Sequence, residues 1–392
     1  MKRYIYTCIQ AALLIGWGCM MACCSSSGDD GGQPGDYPEG PLEGELLRVG
    51  SVTRSGDEDP QNLDPNPLPW GNIKLYMIPA EGDYPKTPTS GNTGVIAYNG
   101  LGDDGYIIWD TSQLRLVVKP GRDYYMFGYM PADLGMNATF IAPENGGPGW
   151  DTDGDGIMDV PEPTVQQTST TSATMTFTDL PTVTNEDFCI IVGAKEGKTP
   201  LGIADQGSFI YHAPENTSNG YYVSLLADHL YASVEFRVTV DHDYNVLRKV
   251  MLTKMTLKSS AMNKTLLDTQ LTLTMNDQGT HPIATDPVNT LKTEGIAQFD
   301  LYNNTDGVEL SPTVAQSFTG CFAEGLGEDL SIECQYDIYD RVSGALNKIE
   351  TRTVVNGLKS LLQNLRRGRK KVINMKVDPT YLYQLSDGDV DK

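Results

Sequence analysis

Ala232-Ser233-Val234-Glu235-Phe236-Arg237-Val238-Thr239-Val240 places apolar side chains at the even positions and mostly polar ones at the odd. Successive side chains of an extended chain point to opposite faces. The alternation therefore predicts a strand with one face in a core and the other toward solvent. Its Val, Phe and Thr content favours the same conformation.

Working outward, similar runs recur. Downstream of residue 220, strands are expected at 221–226, 231–240, 250–257, 266–274, 297–301, 331–339, 348–354 and 372–377. Upstream they are expected at 73–78, 106–109, 114–119, 124–129, 173–177 and 188–192. Turn residues bound most runs, as in Lys119-Pro120-Gly121, Asn276-Asp277-Gln278-Gly279 and Asn303-Asn304-Thr305-Asp306-Gly307. Many short strands at this spacing predict an all-β chain of sandwiches. A boundary near residue 227 divides them into an N-terminal β-sandwich domain at 46–227 and a C-terminal one at 228–392. One short helix is expected near the C-terminus. Asn356 can cap it, Leu358, Leu361, Leu362 and Leu365 follow helical spacing, and Gly368 ends it. The cluster Arg366-Arg367-Gly368-Arg369-Lys370-Lys371 reads as cations at the negative end of that helix plus an exposed turn, with an anionic-ligand patch or a protease site as alternatives.

The chain of 392 residues carries a formal net charge of −22, with 39% hydrophobic residues, 40 Gly, 23 Pro and 20 Tyr. The acidity argues against nucleic-acid partners and against direct adsorption to anionic lipid. The hydrophobic content is enough for a core, and the Gly, Pro and Tyr favour strands and turns over helices.

The first 24 residues read MKRYIYTCIQAALLIGWGCMMACC. Lys2 and Arg3 precede a mostly apolar run too short to span a bilayer, and small Ala22 stands before Cys23. This layout predicts a lipoprotein signal peptide at 1–22, with a lipid such as palmitate on Cys23; Cys24 and Cys19 are the weaker choices. Residues 23–45 are rich in Gly, Pro and acid and read as a flexible acidic stalk reaching roughly 25 Å. Outer-membrane anchoring of a surface-exposed domain follows, and it would exclude cytoplasmic chemistry. Cys8 and Cys19 leave with the signal. Of Cys24, Cys189, Cys321 and Cys334, the last two either pair or stay as buried free thiols; the low cysteine density favours the thiols.

Residues 151–162 read Asp-Thr-Asp-Gly-Asp-Gly-Ile-Met-Asp-Val-Pro-Glu. Oxygen side chains fall at loop positions 1, 3, 5, 9 and 12 as Asp151, Asp153, Asp155, Asp159 and Glu162, with Gly156 at the sharp turn and the Ile157 carbonyl at position 7. A hard cation demanding six or seven oxygens fits this pattern, so one Ca2+ loop of structural role is expected. Pro148, Gly149, Pro161 and Pro163 rule out flanking helices, placing the loop between strands and making Glu162 the least secure ligand.

The four histidines, His212, His229, His242 and His281, lie in no HExxH motif, and GxSxG and Walker sequences are absent. Asp241-His242-Asp243 reads as a solvated turn, and Trp70, Trp109 and Trp150 read as packing aromatics or, alternatively, as a sugar platform. No enzyme activity is expected.

The segment 232–240, together with Gly368-Arg369-Lys370-Lys371-Val372-Ile373-Asn374-Met375-Lys376-Val377-Asp378-Pro379-Thr380-Tyr381-Leu382-Tyr383, resembles the fimbrillin family of Bacteroidales pilus subunits. The likeness is of pattern and layout over most of the mature chain. It implies two transthyretin-like β-sandwich domains and secretion as a lipoprotein. It also implies removal of the lipidated N-terminal segment, with the first strand, by an arginine-directed protease, and assembly by strand addition into the opened groove. Carried onto this sequence, the first strand is Glu45-Leu46-Leu47-Arg48-Val49-Gly50-Ser51-Val52, the cut follows Arg48 or the more loop-like Arg54, and the donor is the tail at 377–385. The calcium loop reads as an insertion. The expected role is a structural, pilin-like fimbrial subunit contributing to adhesion. Its expected partners are other fimbrial subunits, the outer membrane through the lipid, and a host or bacterial surface ligand. An uncut anchor subunit and a monomeric surface glycan-binding lipoprotein are the alternatives.

Overall fold

The computed structural model describes residues 45–54, 64–65, 71–89, 92–101, 107–110, 116–132, 139–141, 149–151, 155–197, 208–217, 220–259, 264–275, 279, 282–285, 287–327, 330–354, 358–377 and 384–387. Residues 1–44 lie outside them, with Cys23, the expected signal and all of the expected stalk but Glu45, as do Asp153, Trp70, Asn356 and residues 378–383. Contacts divide the chain into Met1–Leu42 and Glu43–Lys392, and everything below belongs to the second unit.

In chain order the first strands are β1 (Glu45–Arg54), β2 (Asp64–Pro65), β3 (Ile73–Pro79), β4 (Thr93–Leu101), β5 (Ile107–Asp110), β6 (Val117–Val118), β7 (Asp123–Met130), β8 (Thr139–Ile141) and β9 (Gly149–Asp151). Next come β10 (Val160–Pro161), β11 (Thr164–Ser169), β12 (Ser172–Pro181), β13 (Val183–Thr184), β14 (Cys189–Glu196), β15 (Ile210–His212), β16 (Tyr221–His229) and β17 (Ala232–Val240). Helix α1 (His242–Leu247) precedes β18 (Arg248–Ser259), β19 (Leu266–Met275), β20 (Pro282–Ala284), β21 (Val288–Leu291) and β22 (Ala297–Glu309). The chain continues through β23 (Gln316–Phe322), β24 (Leu330–Asp340), β25 (Leu346–Val354), helix α2 (Leu358–Leu362), β26 (Arg369–Val377) and β27 (Gln384–Asp387). The fold is all-β and sandwich-like.

A nine-stranded sheet runs β5-β4-β3-β7-β14-β16-β1-β6, with β15 added on β7. Its central strand β7 is buried from Tyr124 to Met130 because both faces are covered. Tyr125, Phe127 and Tyr129 enter one core, while Tyr124, Met126 and Met130 enter another. Gly128 is required by a close approach: a Cβ there would meet the Lys74 carbonyl oxygen at 2.1 Å. The first core continues through β12, β17, β18, β19, β24 and β26, with Phe177, Phe236, Leu252, Leu271, Ile332 and Ile373 all buried.

Strand β17 behaves as its alternation predicts. Val234, Phe236, Val238 and Val240 are buried, and Glu235, Arg237 and Thr239 are half-buried on the other face. It lies between β23 and β26. The expected boundary at 227/228 falls inside β16, and strands from either side of it share sheets: β12 pairs with β19, and β13 with β23.

Several local expectations need correction. The turn expected at 303–307 lies inside β22: Val308 faces Leu252 and Asn303 faces Lys254, so residues 304–307 turn out of the ladder, with the Asp306 N–H donating to Asn304 Oδ1 at 2.9 Å and Gly307 at φ +68°. The C-terminal helix is only α2, and a second helix, α1, stands where a solvated turn was expected. Asp241 makes the difference there by capping α1, its carboxylate accepting from the backbone N–H groups of Asp243 and Tyr244. Strands β4, β11 and β23 lack a clean apolar run and are absent from the sequence reading.

Candidate functional site

Strand β1 sits inside the nine-stranded sheet. On one side it pairs in parallel with β16, from Leu47 opposite Tyr221 to Arg54 opposite Ala227, with a register shift between Val49 and Ser51. On the other, among the described residues, it pairs with β6 through Glu45 and Leu46, and the Leu47 N–H donates to the Leu116 carbonyl at 2.9 Å. Leu47 is 1% exposed and lies in the same core as Val118, Tyr211, Tyr221, Val223 and Leu225. Arg48 stands in mid-strand opposite Tyr222, whereas Arg54 is the last residue of β1.

At the other end of the chain, β26 lies parallel to β17 and ends at Val377, opposite Val240. The tail then adds β27 antiparallel to β26, with Gln384 opposite Lys376 and Asp387 opposite Ile373. Of the expected donor segment, Val377 thus belongs to β26, and Gln384 and Leu385 to β27.

The acidic loop joins β9 and β10, which pair with each other through Trp150 opposite Val160. Asp151 is buried, and its Oδ2 accepts from the Gly156 N–H at 2.8 Å. Gly156 has φ +84°, a conformation that glycine adopts without strain. Asp155 Oδ1 accepts from the Ile157 N–H at 2.7 Å, and Asp155, Ile157 and Asp159 are exposed. Glu162 points elsewhere: its Oε1 pairs with Lys74 Nζ at 3.1 Å and accepts from the Tyr76 hydroxyl. Burial, with that carboxylate nearby, pushes the Tyr76 hydroxyl pKa far upward, so it stays a donor. Among the described residues no group of three or more His, Cys, Asp or Glu side chains is placed to hold a metal ion, and Asp153 lies outside them. The donor chemistry suits a hard cation, with Glu162 already engaged by the core.

Trp150 is no sugar platform. It is fully buried, donates from Nε1 to the Ala132 carbonyl, and packs edge-on against Tyr129 at 5.2 Å. Cys321 and Cys334 are buried thiols that form no disulfide with each other, and burial raises the Cys321 pKa.

The structure also assembles a buried polar junction that sequence reading missed. Cys189 and His229 face each other across β14 and β16, with Sγ 3.3 Å from Nδ1. The same Nδ1 lies 2.6 Å from Asp187 Oδ2. One nitrogen thus serves both neighbours, and Nε2 is buried with no hydrogen-bond partner among the described residues. A proton relay would use the two nitrogens separately. Beside it, Arg367 departs from its expected exposed turn. Its guanidinium meets Asp228 Oδ2 at 2.9 Å and donates to the carbonyls of His229 and Ala284. Its side chain is 12% exposed.

No protein-family model matches the chain, and no curated protein matches it. Among solved structures it is similar to a candidate cell adhesion protein from Bacteroides fragilis NCTC 9343, at 9% identity over 90% of this chain and 98% of that one, with a TM-score of 0.42. It is similar to a fimbrial protein from Bacteroides vulgatus ATCC 8482 at 13% identity over 81% and 91% of the two chains, with a TM-score of 0.35. Candidate polysaccharide-binding proteins from Bacteroides thetaiotaomicron VPI-5482 are similar at 10% identity over 82% and 90%, with a TM-score of 0.29. No helix among the described residues is long and apolar enough to cross a membrane.

Proposed function

We propose that this chain is a structural, pilin-like subunit of a cell-surface fimbria, made as a lipoprotein on Cys23 and assembled by strand addition after its N-terminal segment is cut away. The observation that supports this reading is the placement of β1. It is the first strand of the described chain, it lies within a sheet, and among the described residues its far side pairs with the two-residue strand β6. A cut after Arg54 severs the whole of β1 from the rest, whereas a cut after Arg48 leaves its second half attached. Loss of β1 bares the edge of β16 and the core beneath Leu47. An incoming strand can then satisfy the main-chain groups at 221–227 and fill the pocket that Leu47 leaves. The tail that follows β26 is the donor, held at home among the described residues by four pairs with β26. Calcium, bound by Asp151, Asp153, Asp155, Asp159 and the Ile157 carbonyl, stiffens the β9–β10 hairpin.

The test is limited trypsin treatment of the ectodomain beginning at Ser25, followed by mass analysis and light scattering. A new N-terminus at Ser55 with polymer formation is expected. A chain without a discrete cut that stays monomeric would sink the shaft-subunit reading and favour an uncut anchor or a glycan-binding lipoprotein.

A further inference from the structure

The end of the molecule where β26 finishes carries a group of exposed aliphatic side chains. Val342 is 98% exposed, Leu247 64%, Val246 62% and Val314 62%. One exposed aliphatic is ordinary on a protein surface, but several on one connected surface form a patch. Hydrogen bonds connect these. The Arg341 N–H donates to the Leu247 carbonyl at 3.3 Å, bringing the β24–β25 turn to the end of α1. The Arg341 guanidinium reaches the Asn245 carbonyl and side chain at 2.5 Å and Glu309 at 2.8 Å. The Val314 N–H donates to Ser311 Oγ at 3.2 Å, and the Ser311 carbonyl accepts from Val240 at 3.3 Å.

The chain leaves β26 at this same pole. The Asp241 N–H donates to the Val377 carbonyl at 2.9 Å, and the Asp241 carboxylate pairs with Lys376 at 2.9 Å. Asp241 is also the cap of α1. Residues 378–383 separate Val377 from β27, and the seven steps from Val377 to Gln384 span at most about 25 Å when extended. Any copy that takes 384–387 into its own sheet therefore stands within about 25 Å of Val377, near α1 and the β24–β25 turn.

We propose that this pole is the docking surface for a second copy of this chain, the one that receives the tail. The proposal rests on the strand-addition reading above and adds a rigid contact to it. Val246, Leu247, Val314 and Val342 lose their solvent in the contact, and His242 and Asp243, 75% and 99% exposed, form a polar rim.

Binding to the ectodomain cut after Arg54 and freed of β1 provides the test, with three probes: the intact ectodomain, a peptide of residues 377–392, and the ectodomain carrying Leu247→Asp with Val342→Asp. Both substituted positions are exposed, so the thermal melt of the double variant should match the parent. The intact ectodomain is expected to bind at least about tenfold tighter than the peptide, and the double variant to fall to the peptide's affinity. Equal affinity of ectodomain and peptide, or an unweakened double variant, would overturn the docking surface and leave strand addition standing. Binding by none of the three would overturn strand addition, and the docking surface with it.

Discussion

β1 lies parallel to β16, and β26 lies parallel to β17; every other pairing among the described residues is antiparallel. β26 matches β17 continuously from Lys370 opposite Ser233 to Val377 opposite Val240. Lys370 reaches Glu235 at 3.1 Å, Lys376 reaches Asp241 at 2.9 Å, and β2 and β27 cover the outer edge. Immediately before it, Arg367 ties the chain to Asp228, His229 and Ala284. β1 has a register shift in mid-strand, and its outer edge meets β6 through two residues. Parallel pairing is slightly weaker per residue than antiparallel, so what surrounds each strand decides how firmly it is held. The comparison teaches that two parallel-paired strands of one chain can differ in register and cover: β26 runs in continuous register under β2 and β27, and β1 breaks register in mid-strand and seats Leu47 in a core. The second arrangement is the one an assembly by exchange can use.

The largest effect should come from removing a fastening of β26. Arg367→Met leaves Asp228, with a side chain 14% exposed, without its cation. A loss of about 3–5 kcal/mol in urea unfolding is expected, and a change below about 1 kcal/mol would mean that the junction does not hold β26.

Next come matched apolar truncations. Leu47→Ala and Ile373→Ala each remove a side chain that is at most 1% exposed, and each should cost about 2–4 kcal/mol in the uncut chain. After cleavage behind Arg54 the two should diverge. Leu47→Ala should speed departure of the β1 fragment by about 30-fold or more, followed by native mass spectrometry, while Ile373→Ala continues to lower the melting temperature. Equal behaviour of both after the cut would erase the contrast between the strands.

Millimolar calcium should raise the melting temperature by a few degrees through linkage, and Asp151→Asn should abolish the rise. An unchanged parent melt in calcium and in chelator would remove the metal from the loop.

The smallest effect concerns pH. Burial works to raise the Glu235 carboxyl, but hydrogen bonds from Arg237 and Lys370 outweigh it and hold its pKa below the ordinary value. A depressed folded pKa means stabilisation that is complete above the unfolded value of about 4.3 and is lost as pH falls through the folded one. The β17–β26 pairing should weaken in that acid range by less than about 1 kcal/mol. Hydrogen exchange in β26 should report it, and Glu235→Gln should flatten that part of the profile.

Much of the strand set was legible because the signal is local. The alternation at 232–240 reports which side chains face a core, since period two follows from the extended backbone itself. The run at 124–129 was equally legible, although only the sheet order shows that both its faces are covered. The acidic loop was legible as a turn between strands because its acids, Gly156 and flanking prolines stand within sixteen residues. Tertiary structure alone decided the partners. Any strand can pair with any other through the same main-chain groups, so nothing near Cys189 announces His229, and nothing near Arg367 announces Asp228. Glu162 looked like a loop ligand until Lys74 and Tyr76 arrived from a strand more than eighty residues earlier. The five residues at 303–307 read as a turn, and 304–307 do turn out of the ladder, but the pairing of β22 with β18 on both sides is what shows that one long strand continues past them. Composition and periodicity act over a few residues and set the fold class, the core faces and the loop chemistry. Which strand lies beside β1, and how loosely, depends on contacts between residues more than a hundred positions apart.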